Sequence, residues 1–306
     1  MDLQSFSDEG FVDFGPLIDT ETCDTLLGEI RKTRHFGPDL FMERAEFERL
    51  QPNAFNKNPR PGCNLLDDLA PLSERIENTP RLTAFLTALL GPGYEIFRRK
   101  LVCGVSRAWL PEWIRRQVEG KPSNNMAHFM RPENTDITWF YGIDFHQDLV
   151  DWKDAEPDFV TVYVYIDDVG PGQAPLFVLP RSHLAGEDPF PHDMDLTDRK
   201  TGTWRYRSRN GRECLSAQTV LERPKGSVFC WHALTLHGTQ PATVTEPRIS
   251  IRYLIRKRPD GAACLIDRIN RDIGARKMSA PRFDLDENGM PVVASNKLAA
   301  LQQNSD

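Results

Sequence analysis

At 306 residues, with 40% hydrophobic and 27% charged side chains, the chain is long enough to bury a large core and has an ordinary soluble composition. A net charge of −6, with no dominating run of like charge, argues against nucleic acid or an anionic membrane as the main partner. No apolar stretch approaches the roughly 18 residues of a membrane-spanning helix, which excludes that class.

The first residues, Met1-Asp2-Leu3-Gln4-Ser5, lack the basic and apolar regions of a secretion signal. The six cysteines (23, 63, 103, 214, 230 and 264) are scattered and form no C-x-x-C pair. Neither a disulfide framework nor a zinc knuckle is expected, and a reducing cytoplasm fits best.

In chain order, residues 5–18 carry apolar side chains around Gly10 and lead to a helix start at Asp19 or Thr20. Cys23, Leu26, Leu27 and Ile30 would share one face of that helix. Residues 36–63 show no period and read as a long loop. A helical stretch follows from about Leu65, and Pro80 opens another that ends at Gly91-Pro92.

From Tyr94 the texture changes. Segments 94–104, 158–167, 175–180, 226–232 and 248–256 are short, rich in β-branched and aromatic residues, and bounded by Gly or Pro. Lys100 and the Arg98-Arg99 pair lie on a predicted strand, read first as a solvated edge, with the alternative that one of them faces the cofactor pocket. Residues 121–145 read as a polar, aromatic, structureless insert with the composition of a lid, in which Met126, Phe129, Trp139 and Phe140 could close over substrate. The charged stretch 198–213 reads as a solvated loop, and Asn288-Gly289 as a hairpin turn. Helices early and strands late predict an α+β fold, an antiparallel core flanked by helices. The expectation is a single domain over 1–306, with a mainly helical part to 93, the core over 94–257 and an extension from 258.

One constellation carries chemistry. Non-haem iron enzymes hold their metal on one face with two imidazoles and a carboxylate, leaving three positions open. His146-Gln147-Asp148 supplies a His-x-Asp pair, though with 44 acidic residues in 306 such a pair alone is weak evidence. His237 follows Asp148 by 89 residues, and Arg248 follows His237 by 11. If those two sit on neighbouring strands, Arg248 can point into a barrel, where its planar fork suits a carboxylate. Thr239 would lie on the same strand face as His237 and can donate a hydroxyl hydrogen bond. His183 reads as structural, and His232 as a poorer ligand than His237.

These residues sit in a wider pattern. DEGFVDFGPLIDTETCDTLLGEI, RLTAFLTALLGPGYEIF, FHQDL, APLFVLPRSH and KGSVFCWHALTLHGTQPATVTEPRISIRYLI together resemble the phytanoyl-CoA dioxygenase family of iron(II)- and 2-oxoglutarate-dependent oxygenases, over most of the chain. The resemblance implies a double-stranded β-helix (jelly-roll, cupin-like) core. It makes His146, Asp148 and His237 the iron ligands, and Arg248, with Thr239, the binding group for 2-oxoglutarate. The implied reaction is hydroxylation of a C–H bond of a small-molecule substrate with O2, releasing succinate and CO2. An aspartate at 148 fits that outcome, since halogenases on related scaffolds carry a small residue there. The chain departs from the pattern at Ala242, where relatives commonly have Asn, and at Tyr163-Val164-Tyr165, where they often place a Trp. Two other classes stay open: a cupin-type metalloenzyme without 2-oxoglutarate, and a non-catalytic binding protein on an oxygenase scaffold.

Overall fold

The computed structural model describes residues 2–51, 62–286 and 292. The helices are α1 (Asp2–Glu9), α2 (Thr20–Thr33), α3 (Arg44–Leu50), α4 (Leu65–Asp68), α5 (Ala70–Glu77), α6 (Pro80–Leu90), α7 (Glu112–Val118) and α8 (Leu265–Ile273). The strands are β1 (Phe11–Pro16), β2 (Glu95–Gly104), β3 (Ser123–Asn125), β4 (Thr138–His146), β5 (Phe159–Tyr165), β6 (Leu176–Val178), β7 (Asp193–Asp198), β8 (Thr203–Arg207), β9 (Glu213–Ala217), β10 (Thr219–Leu221), β11 (Ser227–His232), β12 (His237–Thr239) and β13 (Arg248–Arg256).

Local chemistry explains the main boundaries. The Asp19 carboxylate accepts the Thr22 N–H at 2.7 Å and starts α2, where Cys23, Leu26, Leu27 and Ile30 are buried. Pro80 stands at the first position of α6, and Gly91, at φ 86°, ends it.

The main sheet runs β1-β11-β5-β13-β2-β4-β12-β6-β10, with β3 attached to β4. Every pair in it is antiparallel except β2 with β4. Strand alternation sorts the side chains. Val160, Val162 and Val164 of β5 and Ile249, Ile251 and Ile255 of β13 join the helices in the largest apolar cluster. On the opposite face Tyr163 and Tyr165 pack with Phe229 and Trp231 of β11 and with Leu176 and Val178 of β6. β6 and β11 lie far apart in the sheet order, so a shared cluster requires the sheet to roll over on itself. Both faces of β5 and most of β13 are thereby buried, which suits their nearly unbroken apolar and aromatic runs. The result is the expected jelly-roll flanked by helices.

Several expectations need correction. Segment 121–145 is not structureless: it carries β3, two 3-10 turns and most of β4, and Met126, Phe129 and Trp139 belong to the cluster under the helices. Only Phe140 packs on the inner cluster. Residues 198–213 join a separate three-stranded sheet, β7-β8-β9, whose Arg207 pairs with Asp195 at 2.9 Å and Glu213 at 3.1 Å. The stretch 36–63 contains a 3-10 turn at Pro38–Leu40 and α3. The Asn288-Gly289 turn lies outside the described residues.

The roll leaves no room at Gly238, between His237 and Thr239. A Cβ there would stand 2.4 Å from the Phe177 ring and 2.5 Å from the Ile143 carbonyl oxygen. Gly238→Ala is therefore expected to cost about 1–3 kcal/mol of stability. Chemical denaturation measures this, and an unchanged midpoint would show that β12 shifts freely.

Candidate metal centre

His146 closes β4 and His237 opens β12, and antiparallel pairing makes them direct cross-strand partners. Their ring centroids are 4.2 Å apart. Nδ1 of His146 lies 3.0 Å from the Asp144 carbonyl oxygen, and Nδ1 of His237 lies 2.9 Å from that of Thr235. A carbonyl only accepts, so each Nδ1 carries a proton and Nε2 is the ring nitrogen left to face a metal. The chain then turns: Gln147, fully buried, donates to the carbonyls of Gly186 at 2.8 Å and Leu234 at 3.1 Å. That anchor sets Asp148 at the head of a 3-10 turn, with its Oδ1 3.4 Å from His237 Nε2. One ligand atom from each of His146, Asp148 and His237 lies within 4.8 Å of the others. Two imidazoles with their Nδ1 atoms engaged and a carboxylate, all buried, fit a non-haem iron ion.

Burial first, then the neighbouring His237, pushes His146 down to about 3, so its ring is neutral near pH 7. Asp148 is 0% exposed. Burial opposes its ionisation, yet the Arg252 guanidinium, followed by His237, holds its carboxyl well below the usual carboxylate range. Trp231 Nε1 donates to Oδ2 at 2.9 Å, Thr161 Oγ1 donates to the same oxygen, and Arg252 Nη2 donates to Oδ1.

Arg248 is 2% exposed. Its Nη1 donates to the Ala174 carbonyl and, at 2.8 Å, to Thr239 Oγ1, while Nη2 donates to Tyr163 Oη at 3.2 Å. Nε has no partner among the described residues. The guanidinium is thus held through Nη1 and Nη2 and keeps its Nε–H unpartnered, a donor that a carboxylate can take. Thr239 in turn donates to the Ala174 carbonyl at 2.8 Å. The expectation that β12 and β13 are neighbours fails, since β2 and β4 separate them in the sheet. The roll of the sheet, and not strand pairing, brings Thr239 to Arg248.

Lys100 is a further correction. It is 4% exposed, not solvated, and burial, foremost, holds its amine down to about 7. Arg99, on the other face of β2, pairs with Glu77 at 2.7 Å. Sequence reasoning also passed over Arg252, although its spacing of four from Arg248 puts both on one strand face. Thr161 and Trp231 carried no such signal, because their approach to Asp148 depends on the order of strands. His183 faces the Ser7 carbonyl at 3.2 Å and His232 faces Asn270 Oδ1 at 3.0 Å, so neither joins the triad.

A rolled antiparallel sheet with two histidines and an aspartate meeting inside it defines a cupin-like metalloenzyme fold. A family model described as phytanoyl-CoA dioxygenase (PhyH) matches residues 6–250, and the chain belongs to that family. It is similar to the epimerase SnoN, solved with Fe3+, alpha ketoglutarate and nogalamycin RO, at 14% identity over 96% of this chain and 94% of that one, with a TM-score of 0.50. The non-heme monooxygenase ThoJ, solved with nickel, shares 14% identity over 100% of this chain and 94% of its own, with a TM-score of 0.49. EvdO2 from Micromonospora carbonacea var. aurantiaca, complexed with 2-oxoglutarate, shares 12% over 86% and 92%, with a TM-score of 0.48. No curated protein matches the chain in sequence. Among the described residues no helix is long and apolar enough to cross a membrane.

Arg252→Gln removes the cation that braces Asp148. It is expected to weaken binding of Mn(II) or Fe(II) by about 10- to 100-fold in an anaerobic titration, with the circular dichroism of the fold retained. Unchanged affinity would mean that Trp231 and Thr161 suffice to orient the carboxylate.

Proposed function

We propose that this protein is an Fe(II)- and 2-oxoglutarate-dependent dioxygenase that hydroxylates an unactivated C–H bond of a small-molecule metabolite, with release of succinate and CO2. The observation that carries the reading is one interior holding two separate fits. Two Nε2 atoms and a carboxylate converge at one end. A buried arginine with an unpartnered Nε–H stands further along the same inner face. Family membership supports the same class.

In this reading His146, Asp148 and His237 hold the metal, and Arg248 receives the distal carboxylate of 2-oxoglutarate. Bound there, iron supplies dioxygen activation coupled to oxidative decarboxylation of the cosubstrate. The chain's own part is positional. The Asp144 and Thr235 carbonyls keep the imidazoles in the tautomer that offers Nε2. Arg252, Trp231 and Thr161 keep Asp148 ionised and oriented. Thr239 and Tyr163 fix the Arg248 guanidinium, Tyr163 from the strand in which relatives often place a Trp. Val102, Leu176, Val178 and Phe229 cluster with Tyr163, whose ring centroid lies 5.7 Å from the Arg248 guanidinium carbon. A cupin-type enzyme that dispenses with 2-oxoglutarate would leave Arg248 buried, charged and without a carboxylate partner, which costs several kcal/mol.

The reading is tested by anaerobic loading with Fe(II), addition of 2-oxoglutarate and oxygen, and detection of succinate across candidate substrates. Arg248→Ala is expected to raise the 2-oxoglutarate KM by at least about tenfold, the value of one lost charge-assisted contact, with a much smaller change in substrate KM. Equal changes in both would remove Arg248 from the cosubstrate site. Wild-type protein that releases no succinate with any substrate tried, and binds no 2-oxoglutarate, would refute the proposal.

A further inference from the structure

The inner face of β13 continues past Arg248 through Ser250 to Arg252, and across the ladder Arg252 pairs with Lys100 of β2. Lys100 shares its strand face with Val102, which packs on Tyr163 and Tyr165, and with Gly104. A Cβ on Gly104 would stand 3.5 Å from that of Arg248, so this face of β2 looks into the same interior as the arginines.

Lys100 is 4% exposed and reaches no described residue by a hydrogen bond, although the Asp151 and Asp148 carboxylates act on it at longer range. Removing an ammonium from water without a partner costs several kcal/mol, and its cross-strand neighbour is a second cation. The only hydrogen bond of Arg252 to a described residue is the one to Asp148, and its Nε has no partner. Ser250 Oγ, between the arginines, is likewise unpartnered and buried. This row of unsatisfied donors lies beside the triad, apart from the Arg248 Nε–H already assigned to the cosubstrate.

Charge says what would satisfy it. With Lys100 protonated, as an anion beside it would favour, Lys100, Arg248 and Arg252 bring three positive charges and Asp148 one negative. Asp151, whose charge reaches both Lys100 and Arg252, pairs with Arg282 at 3.0 Å, and Arg282 pairs with Asp284 at 2.7 Å, a triplet with one net negative charge. These groups around Lys100 and Arg252 therefore sum to about one net positive charge, and a divalent metal with a dianionic cosubstrate leaves that balance unchanged. One further negative charge neutralises it.

We infer that the substrate carries a single anionic group, a carboxylate or a group of like charge, received by Lys100 and Arg252 next to the metal triad. This rests on the function proposed above, and it narrows the substrate to small monoanionic metabolites, with the anion fixing which C–H bond is presented. Lys100 and Arg252 are then substrate-binding residues, and Arg252 also braces Asp148.

The test uses full-length protein loaded with Mn(II) and saturating 2-oxoglutarate without oxygen. Butyrate and benzoate are titrated against butyramide and benzamide by calorimetry and thermal shift. Wild-type protein is expected to bind the carboxylates at least about tenfold more tightly than the amides, the worth of one charge-assisted hydrogen bond. Lys100→Met should abolish that preference, Lys100→Arg should restore most of it, and neither should change the affinity for 2-oxoglutarate by more than about threefold. Equal binding of carboxylates and amides by wild-type protein would overturn the inference. So would a preference that survives Lys100→Met, since the metal alone would then account for it, or a loss of 2-oxoglutarate binding in Lys100→Met as large as in Arg248→Met. If wild-type protein takes up no 2-oxoglutarate, the proposed function fails, and the same comparison on the metal-loaded protein still decides for or against Lys100.

Discussion

Burying an ionised carboxylate costs several kcal/mol unless it is paired and its oxygens accept hydrogen bonds. Asp148 meets that requirement from three strands at once: Thr161 of β5, Trp231 of β11 and Arg252 of β13 all donate to it. Those strands are consecutive in the sheet order, and Asp148 itself hangs from the end of β4, two places further along. The carboxylate thus ties the two walls of the roll together. Without it, Arg252 would be a buried cation with no acid, and His146 and His237 would face each other with nothing between them to attract a cation. The polar interior and the closed jelly-roll are one construction, because each depends on the other for its geometry.

That dependence explains what the sequence could and could not disclose. Strand 94–104 was legible from composition and appears as Glu95–Gly104, and 248–256 appears as Arg248–Arg256. The capping Asp19 and the opening Pro80 were legible because such signals act within one turn. The resemblance carried by FHQDL and the later segments, and not the His-x-Asp spacing alone, nominated His146, Asp148 and His237, which the fold does bring together. Strand order was not legible. Arg248 reaches Thr239 across a roll, not along a ladder, and no local pattern encodes which strands lie opposite. The same limit hid Lys100: in EIFRRKLVCG three basic residues stand in a row, and only the partner strands decide that Arg99 meets Glu77 outside while Lys100 turns inward.

The inner face of β13 gathers the chemistry. Arg248, Ser250 and Arg252 alternate with Ile249, Ile251 and Tyr253, so one strand supplies both the hydrophobic contact to the helices and the donors of the interior. Substituents on a bound molecule would be read by position along this row, with the dicarboxylate cosubstrate at the Arg248 end and a monoanion near Arg252 and Lys100. Specificity built this way relies on unpaired buried donors, which reject a ligand lacking the matching acceptor more strongly than an apolar pocket rejects a wrong shape.

The central claim is that His146, Asp148 and His237 hold one metal ion to which 2-oxoglutarate adds. The most direct measurement is anaerobic titration of 2-oxoglutarate into Fe(II)-loaded protein, followed by the visible charge-transfer absorption of an iron-bound keto acid. The account predicts a saturable band at one equivalent of iron, absent in Asp148→Ala protein that remains folded. A wild-type protein that binds no iron, or an Asp148→Ala protein with an undiminished band, would contradict it.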